Sequence, residues 1–143
     1  MYPEFHRRFI ATGQVRFVLR EFLTSPAEMA AAGFLLARCG GRSQYFDILH
    51  SVFEVQEEIF RSNDVRGPLQ RVAREHGISP ARFNACVGDS AGLRALSQRF
   101  MRWAQVDRID STPTFIVNGR RLEGEQTIDD LAAAIARARR GRR

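Results

Sequence analysis

The sequence contains no lysine; all 22 of its cationic side chains are arginine. We read that bias as coding composition rather than chemistry. No apolar run approaches the roughly 20 residues that a helix needs to cross a bilayer, so no membrane span is expected. Cysteine and histidine are scarce. Cys39, Cys86, His6, His50 and His76 form no pair with zinc-site spacing, so neither a metal nor a cofactor is expected. There is no internal repeat and no low-complexity stretch outside the arginine-rich end. Residues 1–20 lack the charged-then-apolar pattern of a secretory leader. As written, the chain carries no export address, and its compartment stays open.

What the chain does have is an ordinary globular composition. Its 143 residues are 44% hydrophobic and 27% charged. That suits one domain, 1–143, with a core that needs no metal or disulfide to form. The formal net charge is +6. Part of it is local, because Arg137, Arg139, Arg140, Arg142 and Arg143 crowd the C-terminus. Such a tail can bind nucleic acid or an anionic membrane. It can equally be a solvated tail matched to the negative end of the last helix. The second reading is preferred, so no nucleic-acid partner is favoured; a basic interaction protein remains one alternative.

Residues 2–12 read as the end of a helix capped by Gly13. V-R-F-V-L-R-E-F, from Val15 to Phe22, partly alternates apolar and charged residues and reads as a strand. Ser25 as cap and Pro26 at the first helical position open a helix that runs to about Cys39 and stops at Gly40-Gly41. Tyr45, Phe46, Leu49, Val52, Phe53, Ile59 and Phe60 recur at helical spacing and predict one long helix over 43–62. Shorter helices follow, capped by Asp64, by Ser79 ahead of Pro80, and by Asp89 or Ser90, the last running to about Val106. The pattern then changes. Thr114 to Asn118 is a short strand, Asn118-Gly119 a two-residue hairpin turn, and Arg120 to Glu123 the returning strand. Thr127 caps a final helix to about Arg140, with Asp129 and Asp130 in its first turn. A strand, a helical crossover and a second strand imply a right-handed parallel pairing or near-pairing in one sheet. The expected class is α/β, with a helical insertion over about 26–107 and a hairpin and helix over 112–140.

The string Thr112-Pro113-Thr114-Phe115-Ile116-Val117-Asn118-Gly119, followed by Leu122, Gly124 and a capped helix, resembles the cis-proline strand of the DsbA-like thioredoxin-fold family. Gly13 to Phe22 resembles that family's second strand. Ala37-Arg38-Cys39 and Phe83-Asn84-Ala85-Cys86 resemble helix segments of its insertion. The resemblance covers about residues 2–136 and implies a thiol:disulfide oxidoreductase of a family that is typically exported. It departs from the family at one place. The C-x-x-C pair and the strand before it are absent from this sequence, which reads as a truncated thioredoxin-like fold.

Dithiol exchange requires a thiolate of low pKa beside a resolving thiol. Cys39 lies at the C-terminal end of its predicted helix, where the dipole disfavours a thiolate, and no second cysteine is two residues away. Cys86 sits late in a short helix. No catalytic residue is therefore assigned. Two readings of the cysteines stay open: buried inert thiols, or a Cys39–Cys86 disulfide, which the resemblance favours. The resemblance also implies a cis Thr112–Pro113 peptide bond, with the Thr112 backbone free to pair with an extended peptide. Three functions follow as expectations: an oxidoreductase homologue inactive as written, a non-catalytic peptide-binding module built on the cis-proline groove, and a basic interaction protein. The unfilled sheet edges further suggest marginal stability and self-association.

Overall fold

The computed structural model describes residues 2–141, so Arg142 and Arg143 of the arginine tail lie outside the described residues. Two compact units make up the chain. One is the continuous stretch Glu21–Arg102; the other combines the segments up to Arg20 and from Trp103 onward.

The continuous unit is helical. α1 (Tyr2–Phe5) belongs to the other unit; this one holds α2 (Ala27–Cys39), α3 (Tyr45–Glu54), α4 (Gln56–Ser62), α5 (Arg66–Glu75), α6 (Pro80–Val87) and most of α7 (Ser90–Val106). Leu36, Ile48, Leu69, Val72, Phe83 and Leu96 are fully enclosed, each on the apolar stripe of its helix. The polar starts behave as the side-chain chemistry demands. Ser79 Oγ accepts from Arg82 N, Asp64 Oδ1 from Gly67 N, and Asp89 Oδ1 from Ala91 N.

Two helix boundaries differ from expectation. The helix after Ser25 starts one residue late: Pro26 is the extended residue before α2, it follows a cis peptide bond, and no side chain caps the end. The helix expected over 43–62 is two helices. Val55, at φ −87° and ψ −2°, flattens the turn between α3 and α4. Apolar residues continue in helical phase through that break, which is why the periodicity did not reveal it.

In the discontinuous unit, α1 continues into a π-helical turn (His6–Ile10), and the chain reverses at Gly13, φ +69°. β1 (Thr114–Val117) pairs antiparallel with β2 (Arg120–Glu123), Val117 opposite Arg120 and Thr114 opposite Glu123. Asn118 and Gly119 take the positive φ angles of 47° and 84° that a two-residue hairpin needs. α8 (Ile128–Arg140) packs against β1 and buries Leu131, Ala134 and Ile135. A reciprocal cap starts it: Thr127 Oγ accepts from Asp130 N, and the Asp130 carboxylate accepts from Thr127 N. The hydrogen bonds from the Thr127 hydroxyl and backbone hold the Asp130 carboxyl below its usual range. Arg20 and Trp103, the last residue before the helical excursion and the first after it, meet directly. The Arg20 guanidinium lies 4.1 Å from the Trp103 ring centre and also pairs with Asp107.

Residues 15–22 are not a strand. Their alternation is present: Val15, Phe17 and Leu19 are half-buried, while Arg16, Val18 and Arg20 are exposed. What is missing is the ladder. An extended segment becomes a strand only when a neighbour accepts its backbone bonds. Here Val15 N donates to Phe9 O and Thr24 N to Phe22 O, both local. The expected parallel pairing is accordingly absent among the described residues, whose sheet has two strands. The class is nonetheless α/β, with a thioredoxin-like hairpin and helix.

Candidate binding loop and cysteine bridge

The loop entering β1 is shaped by Pro113. The Thr112–Pro113 peptide bond is cis. Pro113 O accepts from Gly124 N at 2.9 Å, and Thr114 Oγ1 donates to Ser111 O at 2.8 Å. These two bonds hold both sides of the proline, and Thr112 and Pro113 are exposed. Among the described residues, no hydrogen bond engages the Thr112 backbone.

Cys39 and Cys86 are bonded to each other, with Cα atoms 5.9 Å apart, inside the range a disulfide spans without backbone movement. Cys39 is the last residue of α2, and Cys86 lies one residue before the end of α6. The bridge therefore joins two helix C-termini, where a departing thiolate meets the negative end of each dipole. Cys39 is buried and Cys86 half-buried, which limits attack by an external thiol. Arg82 reinforces the junction by donating from its guanidinium to Cys39 O at 2.6 Å. Among the described residues, no cluster of potential ligands could hold a metal ion.

The sequence reading missed one further polar constellation. Glu21 is only 4% exposed. Its carboxylate accepts two bonds from Arg38, each 2.8 Å, one from the Tyr45 hydroxyl at 2.9 Å and one from Arg99 at 3.3 Å. The signal was there: Glu21 falls at the inward phase of the alternation set by Val15, Phe17 and Leu19. Burial, then the Glu21 charge, push the Tyr45 phenol well above its usual range. A group with a raised folded-state pKa contributes stability that is complete below its unfolded pKa, here 10.0, and is lost as pH rises beyond it. We expect tyrosinate absorbance from Tyr45 to appear only together with alkaline loss of helical circular dichroism. Ionisation of Tyr45 in a still-folded chain near pH 10 would contradict the burial described.

A cis-proline hairpin with a capped helix packed on it, and a helical excursion ahead of it in sequence, defines a thioredoxin-like α/β protein. The chain belongs to the thioredoxin family: the family model described as Thioredoxin matches residues 2–137. Curated relatives agree. The chain is 30% identical over 139 residues to a Rickettsia conorii protein named "Putative protein-disulfide oxidoreductase", covering 96% of this chain and 49% of that protein. It is 29% identical over 139 residues to the Rickettsia typhi protein of the same description, covering 96% and 50%. The chain thus spans about half the length of these relatives. It is also similar to the Na(+)/H(+) antiporter NhaA 1 of Salinispora arenicola, 28% identical over 130 residues, 90% of this chain and 19% of that protein. No solved structure matches the chain.

Proposed function

We propose that this chain is a homologue of the DsbA-like thiol-disulfide oxidoreductases that retains the substrate-facing loop and has no redox dithiol of its own. The observation that carries this reading is the state of its cysteines. Both are consumed in one bridge between helix C-termini, and no C-x-x-C pair occurs in the sequence. Such a bridge is structural in character, because neither sulfur sits where a thiolate is stabilised. In insulin-reduction and dithiol-oxidation assays the purified chain should show no turnover above background. Turnover that disappears on substituting Cys39 or Cys86 would refute the proposal. The coding DNA upstream of Met1 provides an independent check, since an in-frame apolar strand followed by C-x-x-C would supply the dithiol from the same gene.

The free Thr112 backbone supports a second reading, a non-catalytic module that holds extended peptide beside the cis-proline loop. Peptide-induced shifts of the Thr112 and Thr114 amide signals, in a chain without redox activity, would favour it. The basic-tail reading is weaker. Arg137, Arg139 and Arg140 are exposed in the last turns of α8, where they suit the helix dipole, and Arg139 donates to Gln14 Oε1 at 3.0 Å.

A further inference from the structure

The turn between α5 and α6 is built around Gly77, which sits at φ +72°. The two bonds of a glycine-closed helix end follow: Gly77 N donates to Arg74 O at 3.0 Å, and Ile78 N to Ala73 O at 2.8 Å. The chain is thereby turned back, with Ile78 buried. Ser79 and Pro80 then start α6, and Phe83, one turn on, is fully enclosed. The two helices pack on each other and leave a hollow of about 360 Å³. Ala73, Ile78, Pro80 and Phe83 give it apolar walls, and Gln70 and Arg74 form its polar side. Its whole lining comes from the stretch 67–83, so the hollow is a product of this one helix pair.

α5 carries three arginines, and two of them are engaged. Arg66 donates to Asn84 Oδ1 and lies over the Phe83 ring, 5.5 Å from its centre. Arg71 pairs with Glu58 of α4. Arg74 differs. Among the described residues, neither a hydrogen bond nor an ion pair engages its guanidinium, and none engages the Gln70 side-chain amide. Helical spacing puts Gly67, Gln70 and Arg74 on one stripe of α5, while Arg71 and Glu75 share the next. A free cation and a free amide donor thus line the hollow side by side.

We infer that this hollow binds a small molecule with an apolar or aromatic body and a single carboxylate. Its volume falls within the range of small-molecule sites, roughly 300–1,000 Å³. The apolar walls take the body. The Arg74 guanidinium presents the parallel N–H donors that match a planar carboxylate, and the Gln70 amide adds one more. One free cation balances one negative charge. A dianion such as a phosphate would find Arg66 and Arg71 already paired. It would also meet the Asp64 carboxylate, held by Gly67 N at one end of the hollow. Arg74 is exposed, so water and salt weaken its pull, and the Kd is on the order of millimolar. The site uses neither Thr112 nor Pro113 and stands apart from the peptide reading.

Amide chemical shifts of the whole chain, titrated with phenylacetate, test it. Signals from residues 67–83 should move together and saturate. Phenylacetamide, the uncharged match, should bind roughly tenfold more weakly or worse. Arg74→Met should weaken phenylacetate binding roughly tenfold, the loss of one charge-assisted pair, and Arg74→Glu should abolish it. Both variants should keep the helical circular dichroism of the wild type, because Arg74 supports no other group. Arg137→Met, which removes an equal charge from α8, should leave binding unchanged. Absence of saturable shifts at 67–83, up to the solubility of the probe, would overturn the inference. So would equal binding of the acid and the amide, or a loss in Arg137→Met as large as that in Arg74→Met.

Discussion

Opening the Cys39–Cys86 bridge should cost the helical unit about 4 kcal/mol of stability. The chain-entropy account gives about 3 kcal/mol for a 15-residue loop and about 4.7 for 100 residues; the bridge closes a separation of 47. The loop contains α3, α4 and α5, so its constraint acts on most of the unit's core helices. Against a domain stability of about 5–15 kcal/mol, the loss corresponds to a melting point roughly 10–15 °C lower. Denaturant unfolding with and without a reductant, alongside the Cys39→Ala/Cys86→Ala chain, measures it. An unfolding midpoint that does not move under full reduction would show that the bridge contributes nothing to this fold.

Substituting Glu21→Gln should be the most damaging single change to the polar interior, lowering stability by about 3 kcal/mol. Removing one partner from a buried ionic network leaves the others uncompensated, a loss of about 3–5 kcal/mol in enclosed cases. The lower figure applies because Arg38 and Arg99 keep 46% and 33% of their side-chain surface exposed and can rehydrate. The same physics predicts that replacing the whole network by apolar groups, Glu21→Leu with Arg38→Met and Arg99→Met, is far milder than Glu21→Gln alone. Urea midpoints of the two chains decide the matter. A Glu21→Gln midpoint equal to wild type would mean that the carboxylate is idle.

Much of this architecture was legible in the sequence because its signals are local. Ser79 before Pro80, Asn118-Gly119, and Thr127 with Asp130 each fix a boundary through bonds made within four residues, and all three elements lie where those residues place them. The failures have separate causes. The alternation over 15–22 reports an extended chain with an inside and an outside, which is what the fold contains. Strand formation depends on a neighbour that no local pattern encodes. The turn at Val55 was hidden by apolar residues continuing in phase on both sides. The Thr112–Pro113 loop was found through family resemblance, since proline before a strand is otherwise too common to single out. Glu21 was overlooked because the apolar residues of its segment were counted and the phase of the charged ones was not.

The meeting of Arg20 with Trp103 and Asp107 has a bearing on how this chain tolerates change. Those residues clasp the two points where the polypeptide leaves the hairpin-bearing unit and comes back. Loop-closure entropy rises only with the logarithm of the enclosed length, so the clasp is nearly indifferent to how many residues lie between. Insertions, deletions or wholesale exchange within the helical excursion leave the spacing of those two points to the clasp. The loop before β1 can thus stay unaltered while everything from Glu21 to Arg102 drifts, and the two parts of the molecule are free to diverge at different rates.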